Sequence, residues 1–200
     1  MSWTPRLAPG EKPPVMLEQW YDLACSDLYL DSGICRHLPY IRSVIKSTDR
    51  VVELGVGGSD QGSLALLSAC PKRMDSYDVV VPAALPTIKA LAQSHHIDYR
   101  FHHEDTTKAT PLEHDVLFVD SWHSSEIVDA EIERWTPLTR RLIIAHDVVT
   151  FGRNGQGGAP NTGITLSFGD FLFRHPEWRV VNFREIDNGL LTLEHQGENQ

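Results

Sequence analysis

The hydrophobic positions of this chain change rhythm once, near residue 50. Ahead of that point Met16, Leu17, Trp20, Leu23 and Ala24 recur at helical spacing and predict a helix over 16–25, while Ile34, Leu38, Ile41 and Ile45 line one side of a second helix over 34–45. Beyond it the apolar residues come in short, nearly continuous runs at 51–54, 76–81, 99–102, 115–119 and 141–145, with helical stretches at 61–69, 83–94 and 124–135 between them. Continuous apolar strands are buried on both faces, and strand–helix alternation is the pattern of βαβ units around a parallel sheet. The alternation then stops: runs at 178–183 and 190–194 leave no room for a crossover helix, so they predict an antiparallel hairpin turning at Asn188-Gly189.

An α/β fold follows, Rossmann-like and doubly wound, with an N-terminal lead-in and helical cap over 1–48 and the core over 49–200 of a single domain. Prolines at 5, 9, 13 and 14 suit an extended lead-in. Residues 151–163 hold five glycines and no periodicity, which predicts a loop able to act as a lid.

Composition narrows the partners. At 41% hydrophobic and 22% charged, the 200 residues can build one sizeable core. The net charge of −9 argues against binding nucleic acid through phosphate neutralisation and leaves small molecules or metal ions as the expected partners. No apolar run reaches the ~18–20 residues of a membrane span, and the first residues lack the order of a signal peptide, so no membrane partner and a cytoplasmic location are expected. Three widely spaced cysteines without a CxxC pair indicate neither a disulfide framework nor a thiolate metal site. No heptad or long apolar edge declares an interface, which leaves a homodimer open.

Four motifs carry chemistry. In the strand-to-helix stretch at 51–60, Gly55, Gly57 and Gly58 allow a tight turn and close approach of a ligand, and Glu53 stands two residues before the first glycine. Asp60 occupies the third glycine position of a dinucleotide fingerprint, so a diphosphate is a poor fit and a ligand with an ammonium group and hydroxyls a better one. Asp78, about twenty residues on, is placed to accept hydrogen bonds from ribose hydroxyls. Asp120, Trp122 and His123 end one strand and His146 and Asp147 end the next, where open α/β sheets bind ligands. Asp120 and Asp147 lie within reach of one ion, and paired carboxylates favour Mg²⁺; His146 is either a third ligand, tilting the choice toward Mn²⁺ or Zn²⁺, or a structural imidazole. His123 is the candidate general base, since an imidazole titrates near neutral pH.

These residues resemble a class I S-adenosylmethionine-dependent methyltransferase over most of the core, from Val51 to Glu194. VVELGVGG is similar to that family's first motif, Asp78 to its ribose-binding acid, and Glu104-Asp105-Thr106 to the loop that contacts adenine. FVDSWHSSE followed by IIAHDVV is closer to metal-dependent small-molecule O-methyltransferases, the catechol type and bacterial enzymes acting on sugars or natural products. Two departures stand out: His123 takes the place of a lysine base, and the acid of the second pair comes last. The resemblance implies a mostly parallel seven-stranded sheet whose last strand is antiparallel. It also implies an enzyme that methylates a hydroxyl of a small-molecule acceptor, with S-adenosylmethionine held by Glu53, Gly55, Gly57, Asp78, Asp105, Thr106, Asp120 and Trp122, a divalent metal held by Asp120, His146 and Asp147, and His123 as base. A metal-independent methyltransferase and a nicotinamide-dependent Rossmann oxidoreductase are the alternatives.

Overall fold

A computed structural model describes residues 16–25, 33–57 and 61–197. The expectations for the lead-in at 1–14 and for Gly58 and Asp60 lie outside the described residues. In chain order the elements are α1 (Leu17–Ala24), a 3-10 turn (Cys35–His37) running into α2 (Leu38–Val44), β1 (Arg50–Leu54), α3 (Gln61–Leu67), β2 (Arg73–Asp78), α4 (Leu85–Ser94), β3 (Asp98–His103), β4 (His114–Val119), α5 (Ser125–Trp135), β5 (Thr139–His146), α6 (Ile164–Arg174), β6 (Trp178–Arg184) and β7 (Leu190–His195). Pro39 falls in the first turn of α2, where a missing N–H costs nothing, and explains the break between the 3-10 turn and the helix.

The seven strands form one sheet in the order β3-β2-β1-β4-β5-β7-β6. β1 pairs in parallel with β2 and β4, and β4 with β5, whereas β7 runs antiparallel between β5 and β6. Successive residues of one strand point to opposite faces. Val51 and Val116 accordingly join the core under α1–α4, while Val52 and Leu117 join the core under α5 and α6. The doubly wound sheet and its closing hairpin agree with the sequence reading. The hairpin turns through Asp187, Asn188 and Gly189, all at positive φ.

Two elements differ from expectation. β2 ends at Asp78 rather than running to residue 81, because its ladder with β3 stops at Asp78↔His103 and Val79, Val80 and Val81 are exposed. Their apolar character mimics a strand, but Val79 and Val80 line a cavity instead. α6 was not anticipated: its buried stripe, Ile164, Phe168 and Phe171, has helical spacing but follows directly on the glycine-rich stretch. Among the described residues no helix is long and apolar enough to cross a membrane.

Candidate active site

Between β1 and β4 the strand order reverses, and the carboxyl ends of these strands open a cavity of about 610 Å³. Gly55 makes the turn possible. At φ +86° it sits so close to β4 that a Cβ there would lie 2.4 Å from the Asp120 carbonyl oxygen. Asp78 braces the same turn, its Oδ2 accepting the N–H groups of Val56 and Gly57 at 2.8 Å each and its Oδ1 that of Val80 at 2.8 Å. Glu53 lies beneath the turn, fully buried, with both carboxyl oxygens on the Ser63 hydroxyl. Burial pushes its carboxyl up to about 8 against the pull of the Ser76 and Ser63 hydroxyls.

On the far side of β2, Asp105 lines the cavity, but its oxygens accept from Thr107 and from Lys108 Nζ. Lys108 first, then Thr107, hold its carboxyl down to about 2. The Thr106 hydroxyl donates to buried Glu131 at 2.5 Å, and the Ser121 hydroxyl to the other oxygen of Glu131 at 2.7 Å. Burial raises the Glu131 carboxyl to about 7 in spite of those two donors. Trp122 is 55% exposed at the cavity rim.

At the ends of β4 and β5 the structure brings four side chains together. His146 Nδ1 stands 3.2 Å from Asp120 Oδ1 and 3.4 Å from Asp147 Oδ1, and His123 Nε2 stands 3.3 Å from Asp120 Oδ1 and 3.2 Å from Asp147 Oδ2. Each imidazole is gripped from behind by a carbonyl oxygen: Gly33 O at 2.7 Å from His146 Nε2, and Gln156 Oε1 at 3.1 Å from His123 Nδ1. A carbonyl only accepts, so the outer nitrogen of each ring carries a hydrogen and the inner one faces the carboxylates. Asp147 adopts φ +62°, unusual for a residue with a side chain and a sign of backbone strain held at the site.

The charges follow from this packing. Burial disfavours an imidazolium at His146, yet Asp120, Asp147 and the Gly33 carbonyl outweigh it and raise the ring to about 9. His123 is raised in the same way by Asp120, Asp147 and Gln156 against its burial. Burial would lift Asp120, but His146 and His123 hold it below the ordinary carboxylate range, whereas burial and the neighbouring Asp120 charge leave Asp147 above it. Asp147 Oδ1 is buried without a hydrogen-bond donor. Ligand atoms of Asp120, His146 and Asp147 lie within 4.8 Å of one another, a donor set of two carboxylates and one imidazole.

Three further residues belong to this region. Gln156 and Asn188 line the cavity. Asn188 accepts from Thr150 Oγ1 at 2.8 Å and steadies Asp147 through its side chain. The sequence marks Asn188 only as a turn residue and Gln156 by no pattern at all. Glu131 was readable in principle, being an acid on the buried stripe Val128, Ile132 and Trp135 of α5.

No family model matches the chain, and no curated protein does. Solved structures do match. The ribosomal protein L11 methylase of Lactobacillus delbrueckii subsp. bulgaricus superposes with a TM-score of 0.58 at 9% identity, over 82% of this chain and 78% of that one. The 1,6-didemethyltoxoflavin-N1-methyltransferase of Burkholderia thailandensis, solved with its substrate and S-adenosylhomocysteine, does so with 0.57 at 13%, over 90% and 87%. The 16S rRNA methylase RmtB gives 0.53 at 14%, over 90% and 73%. The chain shares its fold with these three enzymes. That fold is shared by methylases of protein, small molecule and RNA, and it does not single out the catechol-type O-methyltransferases.

One expectation is corrected by this finding. The absence of a nucleic-acid partner, read from the charge of −9, does not stand, because RmtB performs rRNA methylation on the same fold. Net charge counts every acid, including the buried Glu53, Asp75 and Glu131, and is no measure of the surface around one cavity.

Proposed function

We propose that the protein is an S-adenosylmethionine-dependent methyltransferase that methylates a hydroxyl of a small molecule, a natural product or a sugar, with a divalent cation and His123 as general base. The observation that carries this reading is the group of two carboxylates and two imidazoles, Asp120, His123, His146 and Asp147, at the strand ends beside the glycine turn. Asp147 Oδ1, which receives no hydrogen bond, and the inward nitrogen of His146 suit a cation, Mg²⁺ by the carboxylates and Mn²⁺ or Zn²⁺ by the imidazole.

The cofactor supplies a methyl group on a sulfonium, and a bound cation lowers the pKa of an acceptor hydroxyl and orients it. The chain's own residues do the rest. Asp78 and Gly55 hold the turn open for the cofactor, with Gly57, Asp105, Thr106 and Trp122 around it and Glu53 supporting from beneath. Asp120, His146 and Asp147 would hold the cation. His123 accepts the hydroxyl proton at Nε2, the ring nitrogen that faces the cluster. Gln156 of the loop at 151–163 and Ile34 of the cap line the acceptor side.

Calorimetry with S-adenosylhomocysteine and with NAD separates this reading from a nicotinamide oxidoreductase, and binding of NAD alone would sink it. Transfer of labelled methyl to a small-molecule extract, with and without chelator, tests the cation. Full transfer in the presence of chelator would leave a metal-independent methyltransferase.

A further inference from the structure

His123 is held by one segment, the loop between β5 and α6. The Gln156 N–H donates to the His123 carbonyl at 2.6 Å, and Gln156 Oε1 faces both the backbone N–H of His123 at 3.3 Å and its ring Nδ1 at 3.1 Å. The backbone N–H can only donate, which identifies the amide atom as oxygen and places the hydrogen of that ring face on Nδ1. Phe151 stacks on the imidazole, with centroids 4.9 Å apart and planes at 15°. Gly155 lets the loop come this close: a Cβ there would stand 2.4 Å from the Thr162 carbonyl oxygen and 2.9 Å from that of His123.

The opposite ring nitrogen is in contention. His123 Nε2 faces Asp120 Oδ1 at 3.3 Å and Asp147 Oδ2 at 3.2 Å, and two carboxylates draw a hydrogen more strongly than one amide oxygen. A neutral ring with nothing behind it would carry its hydrogen on Nε2 and have no lone pair on the cavity side. With the carboxylates engaged by a cation that pull weakens, and the acceptor behind Nδ1 decides the tautomer. At metal sites the partner behind an imidazole fixes which nitrogen is available in the same way.

We propose that Gln156 is a positioning residue that keeps the hydrogen of His123 on Nδ1 and thereby reserves Nε2 for the proton of the acceptor. This rests on the reading of His123 as general base, and it gives the glycine-rich loop a chemical role besides covering the site. His146 has the mirror arrangement, with Gly33 O behind Nε2 and Nδ1 turned inward, but only at His123 is the decisive acceptor a side chain that can be replaced.

The test is a long-range ¹H–¹⁵N spectrum of histidine-labelled protein saturated with Mg²⁺ and S-adenosylhomocysteine, with His123 assigned from His123→Asn. The wild-type protein is expected to show a persistent Nδ1–H signal for His123, Gln156→Ala to lose it, and Gln156→Glu, which keeps an acceptor oxygen, to retain it. The Nδ1–H of His114, buried on Leu112 O at 2.7 Å, shows in the same spectrum that each variant is folded. Persistence of the His123 signal in Gln156→Ala, or a wild-type ring protonated on Nε2 alone, overturns the proposal. Titration of the same samples with S-adenosylhomocysteine keeps the two readings apart: absent binding defeats the methyltransferase assignment, while an unchanged spectrum with intact binding defeats the role of Gln156.

Discussion

On the β1–β2–β3 side of the cavity each acid is already engaged by the protein, whereas on the β4–β5 side the acids face one another and two imidazoles. Asp78 caps three backbone N–H groups, Asp105 closes a turn with Thr107 and Lys108, and Glu53 is neutralised by its own burial. Asp120 and Asp147 share no such internal donors beyond His123, His146 and Asn188, and one oxygen of Asp147 has none. The same residue type thus shapes backbone in one half and leaves charge available in the other. A preformed cradle for a cofactor needs the first arrangement, and a cation site needs the second.

The sharpest way to break this contrast is to remove the charge from the acceptor half. Asp120→Asn combined with Asp147→Asn should weaken Mn²⁺ or Zn²⁺ binding by more than the ~10–100-fold typical of lost outer partners, with S-adenosylhomocysteine affinity preserved, both by calorimetry. Loss of both affinities together would merge the two halves into one site.

Acidity offers a second handle. The His146 ring is raised from its usual 6.5 to about 9, so its stabilising charge is fully present below pH 6.5 and is lost as the pH rises through 9. Thermal melting without added metal should show stability falling across that window, and divalent cation should restore it increasingly toward the alkaline end. A flat profile would mean that His146 is not paired as described.

In the cofactor half, Asp78→Ala removes the acceptor of three N–H groups and should cost about 2 kcal/mol in stability and weaken S-adenosylhomocysteine binding, with metal affinity unchanged. Glu53→Gln is the mildest change. With a carboxyl raised to about 8, the residue is protonated at pH 7, and an amide should shift the melting free energy by less than about 1 kcal/mol. A large loss would show that Glu53 carries charge in the folded protein.

Much of this was legible in the sequence because strand runs and strand-end residues leave local signals. The parallel βαβ sheet and the hairpin followed from the apolar runs, and the convergence of Asp120, His123, His146 and Asp147 from runs that end in polar residues at 119–123 and 145–147. What escaped was long-range or patternless. Gln156 reaches His123 across 33 positions from a loop without periodicity, and of the strand-like Val79, Val80 and Val81 the first two line the cavity because pairing with β3 has already ended. Whole-chain charge misled for a related reason: it has no spatial resolution.

The hydrogen bond from His146 to Gly33 spans 113 positions and joins the segment ahead of α2 to the end of β5. Its geometry exists only once that N-terminal segment has docked on a finished sheet. The inward orientation of His146 Nδ1 consequently depends on a contact far away in sequence, and a local opening that undocks the N-terminal segment would release the ring while the core stays intact.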